Sequence, residues 1–198
     1  PELREFSENI RTAGNSLLAL ISDVLDISKI ESGKLEIIPC EYELNSLVSD
    51  CCSMTASRAR SKGLELSVEC EENVPRKLFG DETHIRQIIV NLLTNAVKYT
   101  EQGSVTLSVT CRVRQSSCFL IFSVKDTGIG IKKTDYDKIF QKFERLDQEQ
   151  KNIQGSGLGL SITKRLVDMM GGKISFESEY QRGTTFTVVL EQEIISKD

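Results

Sequence analysis

DETHIRQIIVNLLTNAVKYT, residues 81–100, decides how the rest of the chain is read. Ile85, Ile88, Ile89, Leu92, Leu93 and Ala96 recur at helical spacing, so the stretch is a helix with one buried face, and Asp81 stands where an N-cap belongs. A second face is stranger. Gln87, Asn91, Asn95 and Lys98 also recur at helical spacing, as a stripe beside the apolar one. Surface helices usually mix Glu, Lys and Arg, and asparagine is a mediocre helix former that solubility does not require. Two asparagines one turn apart offer neutral oxygen ligands of the kind Mg²⁺ takes together with phosphate and water, and Lys98 supplies a compensating charge. A merely solvated face is the plainer alternative.

Outward from this helix, elements alternate. SVTLSVTCRV (104–113) and CFLIFSVKD (118–126) are long β runs, followed by a polar, irregular stretch over 132–154. GSGLGLSITKRLVDMMGG (155–172) is a helix entered through glycines, and KISFES (173–178) and TTFTVVL (184–190) are paired strands. Upstream, LEIIP (35–39) reads as a short strand, 44–62 as a helix and LELSVEC (64–70) as a strand, with KLFGD as the link into residue 81. Alternation with an antiparallel ending predicts a two-layer α/β sandwich, a mixed β-sheet covered by helices on one face.

At the N-terminus Leu3, Phe6, Ile10, Ala13, Leu17, Leu20, Val24 and Ile27 keep the spacing of one long helix, and ESGK (31–34) ends it. Leu18, Ile21 and Leu25 widen the apolar stripe, as in a helix that packs in a bundle across a dimer. Such a helix is about 45 Å long, too long for its own domain to cover.

The 198 residues are enough for one packed domain and an appendage. Hydrophobic residues make up 39% and charged ones 27%, with three prolines, which excludes disorder. A net charge of −4 gives no general attraction to nucleic acid or anionic lipid, so any anion site is built locally. Cysteines 40, 51, 52, 70, 111 and 118 form neither a CxxC pair nor a histidine cluster, and read as buried reduced thiols of a cytoplasmic fragment. No apolar run reaches bilayer length and PELREFSENI is no signal peptide, although a longer parent could be anchored.

Two further motifs carry chemistry. Gly155, Gly157 and Gly159 bare the backbone at a helix entrance, where unpartnered amides and the dipole suit phosphate. DTGIGI (126–131) ends a hydrophobic strand with a carboxylate. Asp126 is either a turn-maker or an acceptor for an amino group such as the exocyclic amine of adenine, which the adjacent glycines let approach.

NLLTNAVKYT, DTGIGI, IFQKFERLD, GSGLGL and GTTF, in this order, resemble the catalytic ATP-binding domain of sensor histidine kinases, with the Bergerat-type fold shared by gyrase, heat-shock chaperones and MutL. The resemblance implies that 34–198 is the ATP-binding domain with a flexible lid at about 132–154. Residues 1–33 resemble the second helix of the dimerisation and phosphoacceptor domain. It further implies that Asn95 with Asn91 holds Mg²⁺, that Lys98 reaches the phosphates and that Tyr99 lines the nucleoside. Asp126 binds adenine, while Gly128, Gly130 and Ile131 shape its pocket and one root of the lid. Gly155, Ser156, Gly157, Leu158, Gly159 and Leu160 form the other root. Phe140 and Phe143 pack the lid, Arg145 lies near the terminal phosphates, and Thr184 or Thr185 supports Asp126 through a hydroxyl or water. Asn91, Lys98 and Arg145 are then the catalytic set, with ATP and Mg²⁺ as cofactors.

Related ATPases carry a glutamate where this chain has Asn91, and an amide cannot take a proton from water. Asn91 therefore favours a phosphotransferase that holds ATP intact until a histidine arrives. His84, the only histidine, lacks the family's phosphoacceptor setting and reads as a surface or supporting residue. The expectation is a chain that starts after the acceptor helix, binds Mg-ATP without phosphorylating itself, forms a homodimer through its first helix, and serves a response-regulator receiver domain, with no nucleic-acid or membrane contact. A gyrase-type ATP hydrolase and a dimerising scaffold without nucleotide are the alternatives.

Overall fold

A computed structural model describes residues 2–141 and 157–196; of 2–9, 11–13, 15, 16, 19 and 196 it describes the backbone alone. The elements are α1 (Glu2–Glu31), β1 (Cys40–Glu43), α2 (Leu44–Ser61), β2 (Glu65–Cys70), β3 (Lys77–Gly80), α3 (Glu82–Tyr99), β4 (Ser104–Arg114), β5 (Ser117–Asp126), α4 (Gly159–Met169), β6 (Lys173–Glu179) and β7 (Gly183–Ser196), with a 3-10 turn at Lys133–Asp135.

The strands form one sheet in the order β1-β3-β7-β5-β4-β2, with β6 also paired to β7. Only β2 and β4 run parallel among these pairs, so the sheet is mixed. Over residues 104–111 of β4 and 117–124 of β5 every second residue is buried and its neighbours are half-buried, the period-two signature of a sheet covered on one side. Val105, Leu107, Val109, Leu120, Phe122 and Val124 meet Ile85, Ile88, Ile89, Leu92 and Leu93 of α3 in a single core, as the helical spacing predicts.

Asp81 caps α3 by accepting the His84 amide on Oδ1 (2.9 Å), while Oδ2 takes the His84 ring at 2.7 Å. Burial raises the pKa of its carboxyl, but the His84 and Ile38 amides and the His84 ring outweigh that and hold it below the ordinary value. His84 is thus a supporting residue of the helix start.

Several expectations change. LEIIP is not a strand: Pro39 has no N–H to give a ladder, and the Ile38 N–H goes to Asp81 Oδ2 at 2.8 Å, so β1 starts at Cys40. KLFG, read as a link, is β3. The last strand continues past Leu190 to Ser196, because its second half pairs with β3 after its first half has paired with β6. Cys51, Cys111 and Cys118 are buried thiols as expected, whereas Cys40 and Cys70 are exposed because they sit at the ends of the outermost strands β1 and β2.

Along α1, Ile10, Leu17, Leu18, Leu20, Ile21, Val24 and Leu25 stand exposed. Among the residues of α1 whose side chains are described, Ile27, near its end, packs against the core. No helix among the described residues is long and apolar enough to cross a membrane.

Candidate functional site

The polar stripe of α3 divides by destination. Gln87 donates from Nε2 to Asp26 Oδ2 of α1 at 2.7 Å, so the first member of the predicted stripe holds the long helix and leaves the site. Asn91 turns its amide nitrogen to α4, 3.5 Å from both Gly159 O and Thr163 Oγ1, which leaves its Oδ1 as an acceptor. A Cβ built on Gly159 would stand 3.9 Å from both Asn91 Cγ and Asn95 Nδ2. The glycine entrance therefore abuts the asparagine pair. One turn on, the Lys98 ammonium lies 4.7 Å from the centroid of the Tyr99 ring.

The helix α4 starts at Gly159, later than the glycine run suggested. Leu158 is fully buried and offers no side-chain cap, and Gly157 has φ +71°, where a side chain would be strained. First-turn amides without a side-chain cap beside two asparagines suit the oxygens of a phosphate chain. Leu160 is half-buried against the core.

Asp126 ends β5 with only 7% of its surface exposed. Its Oδ1 accepts the amides of Gly128 (2.8 Å) and Thr184 (3.3 Å), and Oδ2 has no partner among the described residues. Burial pushes its pKa up; the two amides offset only part of that and the carboxyl stays above the ordinary range. A buried acceptor held by one oxygen and open at the other is suited to an amino group.

Close packing explains the neighbouring glycines. A Cβ on Gly128 would come within 2.3 Å of Tyr99 O, and one on Gly130, whose φ is +64°, within 2.1 Å of Glu179 O. Ile129 donates to Tyr99 O at 3.2 Å and Gln181 donates to Ile129 O at 2.6 Å, so the DTGIGI loop is pinned between α3 and the β6–β7 hairpin. Asp126, Tyr99, Lys98, Asn95 and Gly159 thereby follow one another along the last turns of α3.

Thr184 supports Asp126, but through its backbone amide. Its hydroxyl is spent on Ser178 Oγ at 2.9 Å. Thr185 is half-buried and, by strand alternation, points to the opposite face, so it does not stand beside the carboxylate. Sequence reasoning missed Ser178, whose hydroxyl also accepts the Ile131 amide at 2.8 Å; a serine inside a strand gives no signal of such a role. Of the predicted lid, residues 132–141 are anchored: Tyr136 donates to Ser178 O, and Phe140 stacks edge-on against Phe176 and Phe186. Phe143, Arg145, Gly155 and Ser156 lie outside the described residues.

The donor set fits Mg²⁺ on chemical grounds. Side-chain amide oxygens of Asn91 and Asn95 are hard, neutral ligands that leave most of an octahedron to phosphate oxygens and water. No group of three or more His, Cys, Asp or Glu that could hold a metal by itself exists among the described residues.

A family model described as histidine kinase-, DNA gyrase B-, and HSP90-like ATPase matches residues 80–194, the segment that holds every site element above. Hybrid signal transduction histidine kinase B of Dictyostelium discoideum is 39% identical over 189 residues, 94% of this chain and 10% of that protein. Signal transduction histidine-protein kinase BarA of Escherichia coli (strain K12) is 40% identical over 188 residues, 94% of this chain and 20% of that protein. The chain thus spans a tenth to a fifth of these two curated relatives. A crystal structure of full-length ShkA in complex with AMPPNP matches with a TM-score of 0.82 at 29% identity, over 99% of this chain and 40% of that one.

Proposed function

Because the chain belongs to the family of histidine kinase-, DNA gyrase B- and HSP90-like ATPases, and its catalytic ATP-binding domain is homologous to those of sensor histidine kinases, we propose that it binds Mg-ATP along α3 and hands the γ-phosphate to a histidine outside these residues. The observation that carries this reading is the half-occupied carboxylate of Asp126 at one end of α3 and the asparagine pair against Gly159 at the other.

Each residue has a role in that proposal. Asp126 Oδ2 accepts the exocyclic amine of adenine, Tyr99 lines the nucleoside, and Gly128, Gly130 and Ile131 shape the purine slot. Lys98 and the amides of residues 157–160 neutralise the phosphate oxygens, with Ser156, Gly155 and Arg145 completing the set from the lid. Asn95 and Asn91 hold Mg²⁺, which when bound supplies charge neutralisation at the phosphates. Asn91 offers no proton acceptor to water, so the triphosphate persists until an imidazole nitrogen attacks the γ-phosphorus, the bond to the bridging oxygen breaks and ADP leaves. A receiver-domain aspartate of a response regulator takes the phosphoryl group next.

Calorimetric titration with ADP tests this. Wild type binds more tightly with Mg²⁺ than without; Asn95→Ala removes the Mg²⁺-dependent gain and leaves metal-free affinity within about twofold, since a uniform loss would instead mean a displaced site. After incubation with Mg-ATP, mass spectrometry finds no phosphohistidine at His84, whose ring is engaged by Asp81. Absence of ADP binding by the wild type would sink the reading.

Residues 1–33 are, in the same proposal, the second helix of a dimerisation and phosphoacceptor domain, 34–198 the ATP-binding domain, and the whole a cytoplasmic fragment that contacts neither membrane nor nucleic acid. The exposed apolar stripe of α1 supports a homodimer, because a stripe of this kind is covered in a bundle. Sedimentation equilibrium gives twice the chain mass for wild type and the chain mass for a Leu17→Glu, Leu25→Glu double variant; a wild-type monomer at high concentration would refute the dimer.

A further inference from the structure

Lys62, the residue after the last turn of α2, reaches across to the far end of α3. Its Nζ donates to the carbonyls of Val97 (2.8 Å), Lys98 (2.9 Å) and Thr100 (3.0 Å). An ammonium has three donors, so all are taken.

A helix C-terminus leaves its last carbonyls without intrahelical partners and carries partial negative charge. Here the account closes. Ala96 O receives the amide (3.1 Å) and the hydroxyl (2.8 Å) of Thr100, Lys62 takes the carbonyls of residues 97, 98 and 100, and Tyr99 O receives the Ile129 amide at 3.2 Å. Of the four carbonyls from residue 97 to residue 100, the one that Lys62 does not hold is the one that carries the DTGIGI loop. Directly beside it, Gly128 is packed so tightly that an added Cβ would meet Tyr99 O at 2.3 Å and Thr100 Oγ1 at 2.9 Å. A shift of a few tenths of an ångström at the exit of α3 must therefore move the loop.

We propose that Lys62 is a positioning residue for the nucleotide: by clamping three carbonyls at the exit of α3 it fixes the Tyr99 carbonyl, and through it the loop whose Gly128 amide orients Asp126. Purine recognition then depends on the side chain of the residue that caps the end of α2, well outside the motifs that line the site. The inference rests on the reading of Asp126 as the purine acceptor.

The test compares wild type, Lys62→Met and Lys62→Arg by ADP titration and by amide hydrogen exchange. Lys62→Met raises the ADP dissociation constant about tenfold, within the usual range for coupling between separate groups. It also speeds exchange at Ile129 about tenfold more than at core amides such as Phe122. Lys62→Arg, which keeps a cation with several donors, recovers part of both. Equal affinity, or an exchange increase spread evenly over the core, overturns the proposal, the latter because it marks a purely structural lysine. If Lys62→Met does not fold, Lys62→Gln keeps two donors and is judged by the same readings. In wild type, coupling is reciprocal, so saturating ADP slows exchange of the Lys62 Nζ protons; no change would also overturn it. Should wild type fail to bind ADP, the purine-site reading falls, and the Ile129 exchange alone decides whether Lys62 holds the loop.

Discussion

Asp126→Asn raises the dissociation constant for ADP about a hundredfold, equivalent to roughly 2.7 kcal/mol, while the free protein keeps its fold. The asymmetry comes from the two carboxylate oxygens. Oδ1 accepts the Gly128 and Thr184 amides, and an asparagine oxygen in the same place accepts them too. The amide nitrogen then replaces Oδ2 and presents donors to the donors of an adenine amino group. An unmet buried donor costs about 1–3 kcal/mol, which sets the size of the effect. Denaturant unfolding of the free variant matches or slightly exceeds wild type at neutral pH, because a neutral amide replaces a carboxylate whose ionisation burial opposes. The sign of the pH dependence follows. A carboxyl with a raised folded pKa contributes stability that is present below its unfolded value and is lost as pH rises through the folded one. ADP binding needs the ionised acceptor and behaves oppositely, weakening as pH falls through the raised value, at a milder acidity than an ordinary carboxylate would require. Titrations across pH show that acid limb in wild type and not in Asp126→Asn; an unchanged affinity in the variant would discredit the purine assignment.

Gly128→Ala removes about 3 kcal/mol of stability and abolishes nucleotide-dependent stabilisation. Its backbone conformation is open to other residues, so the obstacle is space alone: a Cβ would stand 2.3 Å from Tyr99 O and 2.9 Å from Asp126 Oδ1. Neither atom can give way, since Tyr99 O is held at the capped end of α3 and Oδ1 is fixed by two amides. The loop must lift, taking the Ile129 tether and the Asp126 orientation with it. Thermal unfolding reads this as a fall of roughly 6–12 °C. Gly14→Ala is the matched control, because that glycine is exposed within α1 with nothing within 4 Å of an added Cβ. A Gly128→Ala protein as stable as wild type would mean that the loop packs elsewhere.

Long periodic elements were legible before any coordinates. The apolar face and Asp81 cap of α3, and the strict alternation of β4 and β5, each repeat a period often enough to leave one reading. Short or atypical strands were not. Four-residue β1 and β3 have no room for a period, and LEIIP misled because its apolar residues look strand-like while Pro39 and the Asp81-bound Ile38 amide keep it off the ladder. The acidic stretch after Leu190 hid the rest of β7, where buried Gln192 accepts the Tyr42 hydroxyl at 3.0 Å. In the proposed site, the side chains to which the chemistry is assigned, Asp126, Asn91 and Asn95, stood out by type and spacing. Backbone partners did not: the Thr184 amide, the Tyr99 carbonyl and the parity that turns Thr185 away depend on register, which residue identity does not encode. Gln87 shared the spacing of the stripe and was drawn off by α1, a neighbour that only tertiary structure supplies.

The placement of β7 bears on how the molecule comes into being. The strand that comes latest in this sequence among the described residues lies inside the sheet, between β5 on one side and β6 and β3 on the other. Asp126 waits for Thr184, 58 residues later, before its carboxylate is held. Such distant pairings are slow to form and cannot begin on a half-made chain. A polypeptide not yet extended through β7 therefore lacks the Thr184 amide that holds Asp126, and the proposed purine slot forms only once that strand is in place.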